Sequence, residues 1–283
     1  MQRLTTIPAL REAVAAARAT GLTIGFVPTM GYLHEGHLRL IDEARRWADV
    51  VVLSVFVNPL QFAPHEDLAS YPRDLDGDAA KAAERGAALL FLPSATEIYP
   101  REPRVRVVPG DLAGRWEGEA RPDHFEGVLT VVLKLLNIVQ PDVAVFGQKD
   151  VQQATLVRAL VADADLPVRI VVMPTVREAD GLAMSSRNMY LSPAHRSDAL
   201  VLSRALFAIR DAFATGETDP TRLLDTGRER LAEVPSVAID YIALADAEML
   251  EPLAREARAG DVAMVAARVG ATRLIDNVIL GAP

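Results

Sequence analysis

Short apolar runs separated by polar, helix-patterned stretches dominate the first 175 residues. The runs are TIGFV, VVVLSVFV, ALLFL, VAVFG and VRIVV, all rich in Val, Ile, Leu and Phe. Continuous apolar runs of this length suit strands buried on both faces. Between them the spacing predicts helices over Ile7–Ala19, His37–Trp47, Ala79–Arg85, Phe125–Ile138 and Val151–Ala164. In the first helix Leu10, Val14 and Ala17 share one face, and Gly21 supplies the stop. Strands alternating with helices imply a parallel sheet with right-handed crossovers. The expected fold class is therefore α/β, a Rossmann-like doubly wound layer.

The pattern changes after Met173. Helices are expected at Pro193–Ala214 and Pro220–Ala232, followed by strands at VAIDYIAL, DVAMVAARV and TRLIDNVIL. The turn signals Arg258-Ala259-Gly260-Asp261 and Gly270-Ala271-Thr272 suit antiparallel neighbours. The expected division is a first domain over residues 1–175 and a smaller C-terminal α+β domain over 176–283. Composition narrows the class. Half of the 283 residues are hydrophobic, enough for a real core, yet no apolar stretch reaches eighteen residues. Glu12 and polar neighbours stand where a secretory signal would need an apolar run. Cysteine is absent, which excludes disulfides, a thiolate nucleophile and Cys-built metal sites, and fits a cytoplasmic location. The net charge of −8 argues against a nucleic-acid partner, and nothing points to a membrane partner.

Ligands of open α/β sheets bind beyond the carboxyl ends of the strands, so the polar segments there are the places to search. TIGFV runs into Pro28-Thr29-Met30-Gly31-Tyr32-Leu33-His34-Glu35-Gly36-His37, with a helix following at once. A helix N-terminus offers unpaired N–H groups and partial positive charge, both suited to phosphate. His34 and His37, three apart, share one helical face and can both donate to phosphate oxygens. Exposed helix-start histidines or half of a metal site would read the same way, and for the pair alone that plain reading is the stronger. The next strand ends in Asn58-Pro59-Leu60-Gln61, whose two neutral amides could hold a hydroxyl or carboxylate or simply make a turn. VAVFG delivers Gly147-Gln148-Lys149-Asp150, with Gln152 and Gln153 in the following helix. Lys149 suits a phosphate, whereas Asp150 fits a helix cap at least as well as a ribose. Met184-Ser185-Ser186-Arg187-Asn188 offers two hydroxyls and a guanidinium for a triphosphate, though a polar linker would look similar. Asp74, Asp76 and Asp78 form a short acidic run that reads as the solvated start of a helix; the metal ligands are left unassigned.

Together the segments supply imidazoles, a lysine, an arginine, hydroxyls and amides without a nucleophile. That set suits transfer chemistry run by positioning and electrostatics. At this point the sequence resembles the pantothenate synthetase (pantoate–β-alanine ligase) family, within the larger HxGH nucleotidyltransferase group. The resemblance rests on PTMGYLHEGH, SVFVNPLQF, YPRDL, HFEGVLTVVLKLLNIVQPDVAVFGQKDVQQ and PTVREADGLAMSSRNMYLS, spanning about residues 24 to 192. HxGH alone marks only the broad group; its combination with NPxQF, GQKD and SSRN is far more specific. Tyr32 and Glu126 depart from the family pattern, at positions with no assigned chemistry.

The resemblance implies ATP-dependent condensation of pantoate with β-alanine through a pantoyl-adenylate, with AMP and pyrophosphate released. It further implies Mg2+ with the ATP and a homodimer. An acyl-adenylate must be shielded from water, so the small domain is expected to close as a lid. His34, His37, Lys149 and Arg187 would be catalytic. Met30, Gly36, Gly147, Asp150, Val176, Met184, Ser185 and Ser186 would complete the ATP site. Gln61 and Gln153 would hold pantoate, with Met30 and Asn58 nearby and His124 a weaker candidate for the wall. Two rivals stand beside this reading: a nucleotidyltransferase whose product keeps the nucleotide, and a nucleotide sensor without turnover.

Overall fold

All five apolar runs become strands of one parallel sheet in a computed structural model, which describes residues 1–63, 66 and 68–282. Two compact units divide the chain: Met1–Gly147 with Gln152–Met173, and Gln148–Val151 with Pro174–Pro283.

In the first unit the strands are β1 (Gln2–Leu4), β2 (Ile24–Thr29), β3 (Val50–Val55), β4 (Leu89–Phe91), β5 (Val143–Gly147) and β6 (Arg169–Met173). Among the described residues they pair in the order β1-β4-β3-β2-β5-β6. β1 escapes a reading of apolar runs because it has three residues and buries only Leu4, against β4. The helices are α1 (Ile7–Ala19), α2 (Glu35–Trp47), α3 (Leu75–Glu84), the single turns α4 (Ala95–Ile98) and α5 (Glu117–Ala120), α6 (His124–Val139) and α7 (Val151–Asp163). The chain steps outward from β2 to β3 and β4 on one side, and to β5 and β6 on the other. The order therefore reverses between β2 and β5, and a crevice opens beyond the carboxyl ends of such a pair.

Core packing fixes where those ends lie. Val27, Val51, Leu53, Leu90 and Val145 of the sheet pack with Leu40, Ile41 and Ala44 of α2 and Ala79 and Ala82 of α3. Each large aliphatic side chain withdrawn from water there contributes about 1.5–3 kcal/mol. α6 lies against the Pro59–Gln61 turn so closely that a Cβ at Gly127 would sit 2.2 Å from the Leu60 carbonyl oxygen. Glycine is required at that crossing.

The second unit is built on the antiparallel strands β7 (Val237–Ala245), β8 (Val262–Val269) and β9 (Thr272–Ile279). Val265, Ala267, Leu274 and Val278 pack against Leu202, Leu206 and Ile209 of one helix and Leu223 and Leu231 of another. The expected helix Pro193–Ala214 is interrupted, giving α8 (Pro193–Asp198) and α9 (Leu200–Ala214), with α10 at Pro220–Ala232. Ala199 joins the two, and the Ser203 hydroxyl donates to the Leu200 carbonyl in competition with the backbone ladder.

Candidate active site

The histidine turn is set by its own backbone. Gly31 and Tyr32 both adopt left-handed conformations, with φ of 87° and 52°. Glycine is obligatory at 31, where a Cβ would lie 2.7 Å from Val55 Cγ1 and 2.9 Å from Asp78 Oδ2. The turn aims two N–H groups inward: Tyr32 N and Leu33 N donate to the Asp78 carboxylate at 2.8 and 2.6 Å. Asp78 is fully buried, so the acidic run is not a uniformly solvated helix start. Asp74 caps α3 through Gly77 N and Asp76 pairs with Arg3 at the surface, but Asp78 turns into the protein. Burial pushes its carboxyl up, against the pull of the Leu33 and Tyr32 N–H groups and Lys81.

α2 begins at Glu35 rather than His37, with His34 in the capping position. The His34 and His37 rings stack with centroids 4.1 Å apart. His34 N donates to His37 Nδ1 at 3.4 Å, which in the neutral ring puts the hydrogen on Nε2. The result is an imidazole donor beside the N–H groups of the first helical turn, an arrangement suited to phosphate oxygens. Glu35, on the same turn, ties α2 to α3 through Arg85, which also grips Asp42 at 2.8 Å.

Gln61 is oriented from several sides. Its Nε2 donates to Met30 Sδ at 3.0 Å, and its Oε1 accepts from Asn58 Nδ2 at 3.2 Å. Asn58 is 1% exposed, and its other bonds run to Gly127 O, Leu60 N and the Tyr99 hydroxyl. Its amide is thereby committed to protein partners, Gln61 among them. His124 opens α6 and meets Gln61 O through Nδ1 at 2.8 Å, while its Nε2 faces Arg121 Nη1 at 2.9 Å. A guanidinium only donates, so Nε2 accepts and Nδ1 carries the hydrogen. Burial first, then the Arg121 charge, pull the His124 imidazole down to about 4. Arg121 is in turn held by both oxygens of Glu66, at 2.7 and 2.8 Å. Of the adjacent amides in α7, Gln152 is buried and bonds Glu117 N, Leu112 O and Arg115 O, whereas Gln153 is half-buried. Gly147 ends β5, and a Cβ there would meet no protein atom within 4 Å.

The remaining candidates belong to the second unit. Residues 176–184 form a hairpin: Met184 N donates to Val176 O at 3.0 Å, and Glu178 N to Leu182 O at 2.8 Å. Gly181 turns its tip with φ of 96°. Ser185 then caps the 3-10 turn Ser186–Tyr190 by accepting from Arg187 N at 3.2 Å. Lys149 and Ser185 line one recess together with Asn188 and Asp276. Asp150 immediately precedes α7 and lies 3.7 Å from Lys149 Nζ.

Several residues escape a reading of the sequence by strand ends. Asp78, Arg121 and Glu66 brace the first-unit candidates from neighbouring segments, and no local pattern announces them. Asp276 and Asn277, both buried, interrupt the apolar strand TRLIDNVIL. That interruption is a usable signal, because buried polar groups are rare unless they have partners.

A parallel sheet whose switch-point strand ends in a histidine-bearing turn at a helix N-terminus defines an α/β protein equipped to hold phosphates. The family model described as pantoate–β-alanine ligase matches residues 2–279, and the chain belongs to that family. It is 51% identical over 280 residues to pantothenate synthetase 1 of Bradyrhizobium diazoefficiens, covering 99% of this chain and 98% of that one. Among solved structures, pantothenate synthetase from Thermus thermophilus is similar with a TM-score of 0.94, at 49% identity and 99% coverage of both chains. Pantoate–β-alanine ligase from Francisella tularensis, complexed with βγ-ATP and β-alanine, is similar at a TM-score of 0.79 and 33% identity, covering 99% of this chain and 97% of that one.

Proposed function

We infer that the protein is an ATP-dependent pantoate–β-alanine ligase that works through a pantoyl-adenylate. The observation that carries the reading is the stacked His34–His37 pair at the start of α2, in a chain that matches the ligase family along nearly its whole length. In the first half-reaction a pantoate carboxylate oxygen attacks the α-phosphorus of ATP, and the bond to the bridging oxygen breaks to release pyrophosphate. In the second, the β-alanine amine attacks the acyl carbon, loses a proton, and expels AMP.

The roles of individual residues follow from their chemistry. His37 offers Nε2–H to phosphate oxygens as negative charge grows on the leaving pyrophosphate, with His34 stacked beside it. Lys149, Ser185, Ser186 and Arg187 hold the triphosphate, and the paired Val176 and Met184 fix the approach to them. Gly36 and Gly147 let the nucleotide come close, and Asp150 meets the ribose. Gln61 and Gln153 orient pantoate, with Met30 and Asn58 setting the Gln61 rotamer. Among the described residues no group of three or more His, Asp or Glu side chains could hold a metal. Mg2+ keeps several waters and takes substrate phosphates, so this donor set fits an ion carried in on ATP to neutralise phosphate charge. A cytoplasmic homodimer completes the reading. Among the described residues no helix is long and apolar enough to cross a membrane.

The test is AMP and pyrophosphate release from Mg-ATP with pantoate, with and without β-alanine. AMP and pantothenate in equal amounts, formed in quantity only with both acids, is the expected result. Pyrophosphate without AMP in every mixture would make the protein a nucleotidyltransferase, and absence of turnover would make it a nucleotide sensor.

A further inference from the structure

Strand β9 carries two consecutive buried polar residues, and each grips a different segment of the second unit. Asp276 takes Arg177 in a two-point ion pair, at 2.6 and 2.9 Å, and Arg177 also donates to Gly181 O at 3.1 Å. That pair ties the 176–184 hairpin to the sheet. Asn277, 1% exposed, does the same for the turn that bears Lys149. Its Nδ2 donates to the carbonyls of both Gln148 and Lys149 at 2.9 Å, and its Oδ1 accepts from Gln148 Nε2 at 3.0 Å. Two backbone carbonyls converging on one point need a group with two hydrogens to give. An Asn amide meets that need; a carboxylate of the same shape would set oxygen against oxygen. Gln148–Val151 belongs to the second unit, although Gly147 before it and Gln152 after it belong to the first.

We propose that Asn277 is a positioning residue for Lys149: its carboxamide fixes the backbone of the Gln148–Asp150 turn so that the ammonium is held where the triphosphate needs it. The proposal rests on the role assigned to Lys149 above. Asn277 is 1% exposed, and its carboxamide is committed to Gln148 and Lys149. Its effect on turnover should therefore be lost with the lysine, a dependence that a residue merely stabilising the fold would not show.

A double-mutant cycle on the full-length protein tests this, with kcat/KM for ATP as the readout and thermal melting as the check on folding. Asn277→Asp keeps the side-chain volume and reverses its polarity toward the two carbonyls. It should lower kcat/KM for ATP by about 10–100-fold, the scale of a displaced catalytic group, while KM for pantoate stays near that of the parent. In a Lys149→Ala background the same substitution should cost less than about threefold more, because coupled residues do not add. If Asn277→Asp does not fold, Gln148→Ala runs the same cycle, with an expected loss of about 2–10-fold for one neutral hydrogen bond. Parental activity in Lys149→Ala would overturn the role of the lysine and the proposal with it. A damaged Lys149→Ala combined with a fully active Asn277→Asp, or with losses that multiply in the double variant, would overturn the proposal alone.

Discussion

The histidine turn and the lysine turn are each braced by a buried side chain that bonds two backbone groups, but with opposite hydrogen-bonding polarity. At the histidine turn two left-handed residues point N–H groups inward, and the brace is an acceptor, Asp78. At the lysine turn no residue has positive φ, two carbonyls point inward, and the brace is a donor, Asn277. The polarity of the backbone thus dictates the residue type. A carboxylate can accept from both N–H groups with lone pairs to spare, at the cost of burying a charge. Lys81 offsets part of that cost from the same helix as Asp78, donating to Leu33 O at 2.9 Å. A neutral amide avoids the cost altogether.

The largest loss is expected at the charged group that the lysine turn carries. Lys149→Ala should lower turnover by about two to three orders of magnitude, the effect of removing one preorganised charge donor, about 2.7–4 kcal/mol. Near-parental turnover would take the lysine out of the mechanism. The brace of the other turn should matter less. Asp78→Asn keeps one acceptor and sets an NH2 group against the second N–H, so kcat should fall by about 10–100-fold. Its stability cost is about 1–3 kcal/mol for the stranded N–H, reduced by the release of a buried charge. A variant with normal kcat and lowered melting temperature would make Asp78 purely structural.

Smaller effects sharpen the picture. Gly31→Ala forces a methyl against Val55 and Asp78 in a left-handed conformation. The expected loss is about 1–3 kcal/mol from overpacking with about 1–2 kcal/mol more from the backbone, read in chemical denaturation. A neutral outcome would mean that the turn is not constrained at Gly31. His124, outside both turns, gives the gentlest probe. Its folded form stays neutral down to about 4, whereas the unfolded chain takes up a proton near pH 6.5. Its stabilising contribution is therefore complete above pH 6.5 and is lost as pH falls toward 4. The stability gap between the parent and His124→Gln should shrink over that window. A gap independent of pH would show that the imidazole is not held neutral.

The same contrast explains what could be read from the residues alone. The sheet was legible because buried parallel strands are continuous apolar runs, and TIGFV, VVVLSVFV, ALLFL, VAVFG and VRIVV all became strands. β1 was not, because three residues carry no period, and neither was the break at Ala199, which leaves the helical pattern intact. The polar segments of the candidate site are legible as candidates from their position after strands. Their braces were hidden, because Asp78 reaches the turn across 45 and 46 residues and Asn277 across 128 and 129. Side-chain bonds to distant backbone leave no spacing to detect. Only the Asp276-Asn277 pair inside an apolar strand hinted at one of them.

The reaction through an acyl-adenylate can be tested with pantoate labelled with oxygen-18 in its carboxylate. The protein would be given Mg-ATP, labelled pantoate and β-alanine, and the AMP examined by mass spectrometry. One labelled oxygen should pass to the phosphate of AMP, because the carboxylate oxygen that attacks the α-phosphorus leaves with it when the amide forms. Label absent from AMP and found instead in pyrophosphate or inorganic phosphate would contradict adenylation.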